Sequence, residues 1–572
     1  MRPWRELVVP HRDIREGRLD ESTFAASLSS VVAGAGQLEY RDAASFFRQT
    51  YPTRGLVQLL AAVTGRLAQT GYGQPVIQVQ TPFGGGKTHS LVALYHFFKN
   101  RQEAERADLC AEVLRESGAQ SIPHARVAVF DGTSADPLGM APWGEIARQL
   151  GRYEIVQEHD RQRLSPGKER LRQVLEGSPV LILMDEMVEY IVKARDFRDQ
   201  VVAFCQEITE TVAEVPGCAL VAALPSSVPY SEEAEAALRD LQRVFGRVQA
   251  IYTPVEGDEI FAVIRRRLFE QGEGFKEADA VAEAYWRLYH NLGEDVPSWA
   301  REDSYRRRMS LAYPFHPQLI DLLYERWSTY PAFQRTRGAL RFLANVVADL
   351  YARKDQSPLI QTCHINLSQP AIRQELLQHT GSAFEGVIAS DIAGPNAKAP
   401  RIDRELGSEY ARFAVASGLA TAIFFGSFSG GSGRRGLSMG DLRVSVLREG
   451  LPPAVVGDAL HRLEKELWYL HVEGGLYEFR TQPNLNRVVV DREGALQDQD
   501  IDEEMQQALQ ELAGREMQVV LFPHQPADVP DNPSLKLAIL DREYPYSNPA
   551  TDEFVRKLLE GAGMTFRTYR NT

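Results

Sequence analysis

Lys87 and Thr88 close the run Pro75-Val-Ile-Gln-Val-Gln-Thr-Pro-Phe-Gly-Gly-Gly-Lys-Thr-His-Ser90, in which an apolar strand empties into a glycine loop and then an apolar helix. Glycines let successive backbone N–H groups curl round an anion without Cβ clashes, and the helix that follows presents its positive end to the same anion. A lysine at this point reaches the β- and γ-phosphates of a nucleotide, and the hydroxyl beside it ligates Mg²⁺. The residues expected to touch ATP are therefore Thr81, Pro82, Phe83, Gly84, Gly85, Gly86, Lys87, Thr88 and His89. One position departs from the Gly-x-x-x-x-Gly-Lys-Thr pattern, whose first glycine falls at Thr81. The plain alternative is a glycine turn that binds nothing.

Pro179-Val-Leu-Ile-Leu-Met-Asp-Glu186 brings two adjacent carboxylates to the end of an apolar strand. Asp185 suits a metal held through its water shell, and Glu186 suits a base that orients and polarises the water attacking a γ-phosphoryl group. Taken alone, the pair also fits a strand that stops at an acidic helix cap. Glu189, one turn on, reads as a supporting or surface group. The next strand ends Leu224-Pro-Ser-Ser227, which makes Ser226 either a γ-phosphate sensor or a turn cap. Arg239, Arg243 and Arg247 recur every four residues along one helical stripe. Arg243 and Arg247 are candidate fingers for a neighbouring subunit's nucleotide, or else solvated surface groups.

Arg337 and then Arg341, in Arg335-Thr-Arg-Gly-Ala-Leu-Arg341, are candidates to reach back over the nucleotide from a lid, with lid packing as the alternative. The expected catalytic set is Lys87, Glu186, Ser226, Arg243, Arg247 and Arg337, and the expected metal ligands are Thr88 and Asp185. His316 reads as a cap or core histidine, and Trp143 and Phe333 as packing residues. The arginine runs 265–267 and 306–308 read as solvated or acid-paired faces, with phosphate-backbone contact as the alternative.

These groups need a scaffold. Short apolar strands are expected at 76–80, 126–130, 180–184, 219–224 and 248–252, with helical intervals between most of them, a rhythm that makes an α/β core with a mostly parallel sheet. Before them, residues 1–70 form an N-terminal helical region in which Thr53 is a candidate cap. The α/β core spans 71–254. Helical periodicity at 257–270, 277–288, 316–327 and 338–351 defines a lid, 255–355, and a further helical region with a Gly-rich loop covers 356–436. Two helices and a hairpin turning at Glu473-Gly474-Gly475 make a winged-helix-like module, 437–495. Residues 496–572 form a small α/β unit.

The 572 residues exceed one hydrophobic core. Lys plus Arg number 64 against 77 Asp plus Glu, a net charge of −13, which argues against a general nucleic-acid coat though not against a local basic stripe. Cys110, Cys205, Cys218 and Cys363 lack metal or disulfide spacing and suit a reducing cytoplasm. No signal segment follows Met1, and the most apolar stretch, 413–425, is too short for a bilayer. The expected location is cytoplasmic, without a membrane partner.

Thr81-Pro-Phe-Gly-Gly-Gly-Lys-Thr-His-Ser90, Trp143-Gly-Glu-Ile-Ala-Arg-Gln-Leu150, Leu181-Ile-Leu-Met-Asp-Glu186, Tyr313-Pro-Phe-His-Pro317 and Phe333-Gln-Arg-Thr-Arg-Gly-Ala-Leu-Arg341 together resemble the DUF499 family of AAA+ ATPases encoded with DNA methylases and helicases in prokaryotic defence islands. More distantly the chain resembles the large ATPases of BREX-type defence. The resemblance implies a P-loop NTPase, AAA+-like, with ATP at Lys87, Thr88, Asp185 and Glu186 and a DNA-associated antiphage role. It also implies a methylase, helicase or nuclease partner. An ATP-driven machine, acting alone or as a homo-oligomer, is the leading reading. The alternatives are a nucleotide-gated scaffold without appreciable turnover and a DNA-binding adaptor.

Overall fold

The computed structural model describes residues 1–17, 24, 26–81, 86–177, 179–225, 231–246, 250–252, 257–327, 335–428, 435–514 and 516–570. Five strands, β1 (Val76–Thr81), β2 (Arg126–Asp131), β3 (Val180–Asp185), β4 (Cys218–Pro225) and β5 (Ala250–Tyr252), pair in the order β2-β3-β4-β1-β5. Every pairing is parallel. β3 and β4 are buried along their whole length, as parallel strands covered on both faces must be.

Their apolar runs divide by strict alternation. Val180, Ile182 and Met184 enter one core with the helices Pro142–Gln149, Lys168–Leu175, Arg198–Glu214 and Glu232–Phe245. Leu181 and Leu183 enter the other with Arg54–Leu67 and Lys87–Lys99. Each fully buried Leu or Ile stabilises the sandwich by about 2 kcal/mol. Thr53 starts the Arg54–Leu67 helix by accepting the Leu56 N–H at 3.2 Å. Of the fifth expected strand, only Ala250–Tyr252 lies among the described residues.

Beyond β5 come the helices Glu259–Leu268, Ala278–Asn291, Asp303–Ala312, Pro317–Asp321 and Arg335–Ala352. The helix expected over 316–327 is not uniform: after Asp321 it passes into a one-turn π-helix, Leu322–Arg326. Further helices, among them Pro370–Thr380, Lys398–Glu405 and Val415–Gly426, lead to β6 (Leu437–Ser438) and the helices Met439–Val446 and Pro453–Glu466. The antiparallel hairpin of β7 (Leu470–Glu473) and β8 (Leu476–Phe479) follows, with β6 on the free side of β8. Gly474 and Gly475 have φ of 58° and 76°, the two positive values a two-residue hairpin loop requires. β6, at two residues, is too short to leave a periodic signal.

One continuous core joins these helices to the hairpin, and Trp4, Val8 and Ile14 belong to it. Residues from Leu28 to Leu67 pack instead with the parallel sheet. The N-terminal segment therefore serves two cores.

By compactness the chain divides into two units, Met1–Asn484 and Leu485–Thr572. The second holds the helices Leu485–Ala495, Asp498–Leu512 and Pro549–Glu560 and a parallel pair of strands, β9 (Gln518–Leu521) and β10 (Lys536–Ile539). Arg567 is buried there, its guanidinium donating to the carbonyls of Pro526, Val529 and Leu558 at 3.0, 2.9 and 3.1 Å. Among the described residues no helix is long and apolar enough to cross a membrane.

Candidate functional site

The site forms at the carboxyl ends of β1 and β3, which lie either side of β4. Crevices in parallel sheets open at these ends. Gly86 precedes the Lys87–Lys99 helix with φ 89°, a left-handed conformation that glycine adopts without strain. Its carbonyl accepts the N–H and the hydroxyl of Ser90 at 2.9 and 3.0 Å, which fixes the first turn. Lys87 and Thr88 open that helix, and Lys87 is buried. Burial lowers the Lys87 pKa, while the charges of Glu186 and then Asp185 pull it back up.

Asp185 is buried at the end of β3. Its Oδ1 accepts the Glu186 N–H at 3.1 Å. Burial pushes Asp185 up to about 7; the charges of Glu186 and Asp131 add to the rise, and the neighbouring Thr88 side chain opposes it. Glu186 is raised as well, by burial and then by Glu189, against the pull of Lys87. Its backbone sits at φ 50°, ψ 37°, the left-handed region.

A hydroxyl and a buried carboxyl close together are hard oxygens suited to Mg²⁺, which takes few protein ligands and completes its shell with water and phosphate. Among the described residues no group of three or more His, Cys, Asp or Glu is placed to hold a metal ion. The residues that could hold a cation here are Thr88 and Asp185. The donor set fits that arrangement.

Of the other expected site residues, some are not described and others have partners of their own. Pro82, Phe83, Gly84, Gly85, Ser226, Arg247 and Phe333 lie outside the described residues, as do the side chains of Thr81 and Arg337. His89 is packed into the protein, with Nε2 3.2 Å from the Thr50 hydroxyl and its ring 4.7 Å from Phe46. Burial holds it neutral, at about 3. Arg243 is exposed and lies 3.7 Å from Asp240 on its own helix. Arg341 donates to the buried carboxylate of Glu375 at 2.7 Å, and Asn345 holds the other oxygen of Glu375 at 3.1 Å.

His316 caps the Pro317–Asp321 helix through Nδ1 and meets the Tyr289 hydroxyl at 3.1 Å, and Trp143 is core. The arginine runs find protein partners. Arg267 bonds Tyr40 and Gln49, Arg265 covers the Phe275 ring, and Arg308 bridges Asp258 and Asp321. Sequence reasoning missed Gly132 and Thr133, which pack beside Glu186 and Glu189. An Asp-Gly pair at the end of a strand was their only signal.

The chain belongs to the DUF499 family. The DUF499 N-terminal domain matches residues 5–127 and 135–257, and the DUF499 second domain matches 256–438. Among solved structures, the ORC2 protein of Aeropyrum pernix, determined as ADPNP-ADP complexes, is similar at 13% identity and a TM-score of 0.29, over 77% of this chain and 93% of that one. No curated protein matches the chain.

Proposed function

We propose that this chain is a Mg²⁺-dependent ATPase with an AAA+-like P-loop core, residues 71–254, whose turnover moves the helical lid, 255–355, and the winged-helix-like module, 437–495. The observation that carries the reading is the packing of the Lys87–Lys99 helix against β3. It brings Lys87 and Thr88 within electrostatic reach of Asp185 and Glu186 at the strand's end. The strand order adds support, because β4 between β1 and β3 leaves both chain ends facing one crevice.

The Lys87 ammonium would balance charge on the β- and γ-phosphates. A Glu186 carboxylate made more basic by burial is a better acceptor for a water proton than a solvated one. With that proton drawn off, the water oxygen bonds to the γ-phosphorus and the bond to the β–γ bridging oxygen breaks, giving ADP and phosphate. Bound Mg²⁺, held by Thr88 and Asp185, would neutralise phosphate charge.

The charges of the module at 437–495 favour a protein-docking role. Arg462 pairs with Asp458, Arg480 with Glu473 and Glu478, and Arg401 of a neighbouring helix with Glu466, so these arginines are already neutralised. Phosphate-backbone affinity needs arginines and lysines that displace counterions. A methylase, helicase or nuclease in a DNA-associated antiphage system is the proposed partner, and the cytoplasm the proposed location. In a homo-oligomer, exposed Arg243 is the candidate to face a neighbouring nucleotide.

The test pairs nucleotide affinity with single-turnover phosphate release for wild type and Glu186→Gln, with and without duplex DNA. The variant should bind and fail to hydrolyse. Equal release by both removes Glu186 from catalysis, and tight binding by a wild type that releases no phosphate favours the scaffold.

A further inference from the structure

The turn leaving β2 is built against the junction that carries Glu186, and the phosphate cradle makes no use of it. The Gly132 N–H donates to the Asp185 carbonyl at 2.9 Å, one step beyond the last β2–β3 pair, Asp131 with Asp185. A Cβ on Gly132 would lie 2.2 Å from the Glu186 carbonyl oxygen and 2.9 Å from Tyr190 Cβ. The first is backbone and the second belongs to a fully buried side chain, so neither can yield.

Three further bonds tie the turn to the Met187–Lys193 helix. Lys193 Nζ donates to the carbonyls of Gly132 and Thr133 at 3.1 and 2.6 Å, and the Thr133 hydroxyl donates to Glu189 Oε2 at 2.8 Å. Glu189 and Lys193 stand four residues apart, hence on one helix face. From below, Asp131 Oδ1 accepts the Thr133 N–H at 3.0 Å. Between these anchors lies Glu186 at φ 50°, a conformation that persists in a residue with a side chain only where its surroundings over-determine it.

We propose that Gly132 and Thr133, bolted to Glu189 and Lys193, form a clamp that holds the Glu186 backbone left-handed and so sets where its carboxylate meets the attacking water. Resting on the ATPase reading, it makes these four positioning residues. The clamp acts on the chemical step and leaves nucleotide binding, which depends on Lys87 and Thr88, largely untouched.

The full chain carrying Gly132→Ala tests this. A misplaced base of this kind costs about ten- to a hundredfold in rate. Single-turnover phosphate release should fall by that factor, affinity for a non-hydrolysable ATP analogue should stay within about threefold, and amide exchange over residues 184–192 should rise. If Gly132→Ala does not fold, Thr133→Val and Glu189→Ala decide. Each should slow release severalfold without compounding in the double variant. Glu189→Gln, which keeps an acceptor for the Thr133 hydroxyl, should restore most of the rate.

A folded Gly132→Ala with wild-type turnover, a rate loss matched by lost affinity, or a Glu189→Gln as slow as Glu189→Ala overturns the clamp. A wild type that releases no more phosphate than Glu186→Gln overturns the ATPase reading, and the positioning role with it, even if the exchange difference persists.

Discussion

Arg341 offers the sharpest test of the proposed lid, because its sequence position suits a nucleotide sensor and its structural partner is Glu375. The two side chains are 22% and 7% exposed, their N–O distance is 2.7 Å, and Asn345 secures the second Glu375 oxygen. Removing one member of a buried pair costs about 3–5 kcal/mol, since the other charge is left desolvated. Solvent reaching Arg341 reduces this to about 2 kcal/mol.

Arg341→Ala should therefore lower the urea midpoint of nucleotide-free protein and its melting temperature by a few degrees, with the denaturant slope unchanged. Glu375→Ala should do the same, and the double-mutant cycle should return a coupling of about 1–3 kcal/mol. Calorimetric titration with a non-hydrolysable ATP analogue should give Arg341→Ala the affinity of wild type within about twofold, because a side chain committed to Glu375 contributes no phosphate contact. A variant as stable as wild type that binds nucleotide about tenfold more weakly would refute this reasoning and make Arg341 the sensor.

Lys87→Ala should lose about 2–3 kcal/mol of nucleotide affinity, roughly 30- to 160-fold, and calorimetry reads this directly. His316 sits at about 3, lowered by burial and by nearby Arg308, against 6.5 for a free histidine. Between those values the unfolded chain binds a proton that the folded chain refuses, so the contribution of His316 is complete above pH 6.5 and declines as pH falls, by about 1.4 kcal/mol per unit. Urea midpoints at about pH 7.5 and about pH 5.5 should separate by one proton's worth less in His316→Gln than in wild type. Hydrogen exchange in the β7–β8 hairpin should change when nucleotide binds; identical exchange with and without nucleotide would rule out mechanical coupling to the module.

Much of the candidate site was legible in the residues themselves. Gly86 ahead of Lys87-Thr88 and an apolar strand ending in Asp185-Glu186 are local patterns, and each fixes its own backbone through φ freedom, periodicity and helix initiation. The Gly474-Gly475 hairpin and the Thr53 cap are of the same kind. What the chain order could not contain was the choice of partner. Thr88 comes near Asp185 because the Lys87–Lys99 helix packs across β3, and Arg341 meets Glu375 because two helices pack side by side. Gly132 must be glycine because a carbonyl from residue 186 occupies the place of its side chain. A guanidinium or a carboxylate carries no record in sequence of which distant group will neutralise it. Burial and close approach decide that, and both exist only once the sheet and its covering helices have closed on one another.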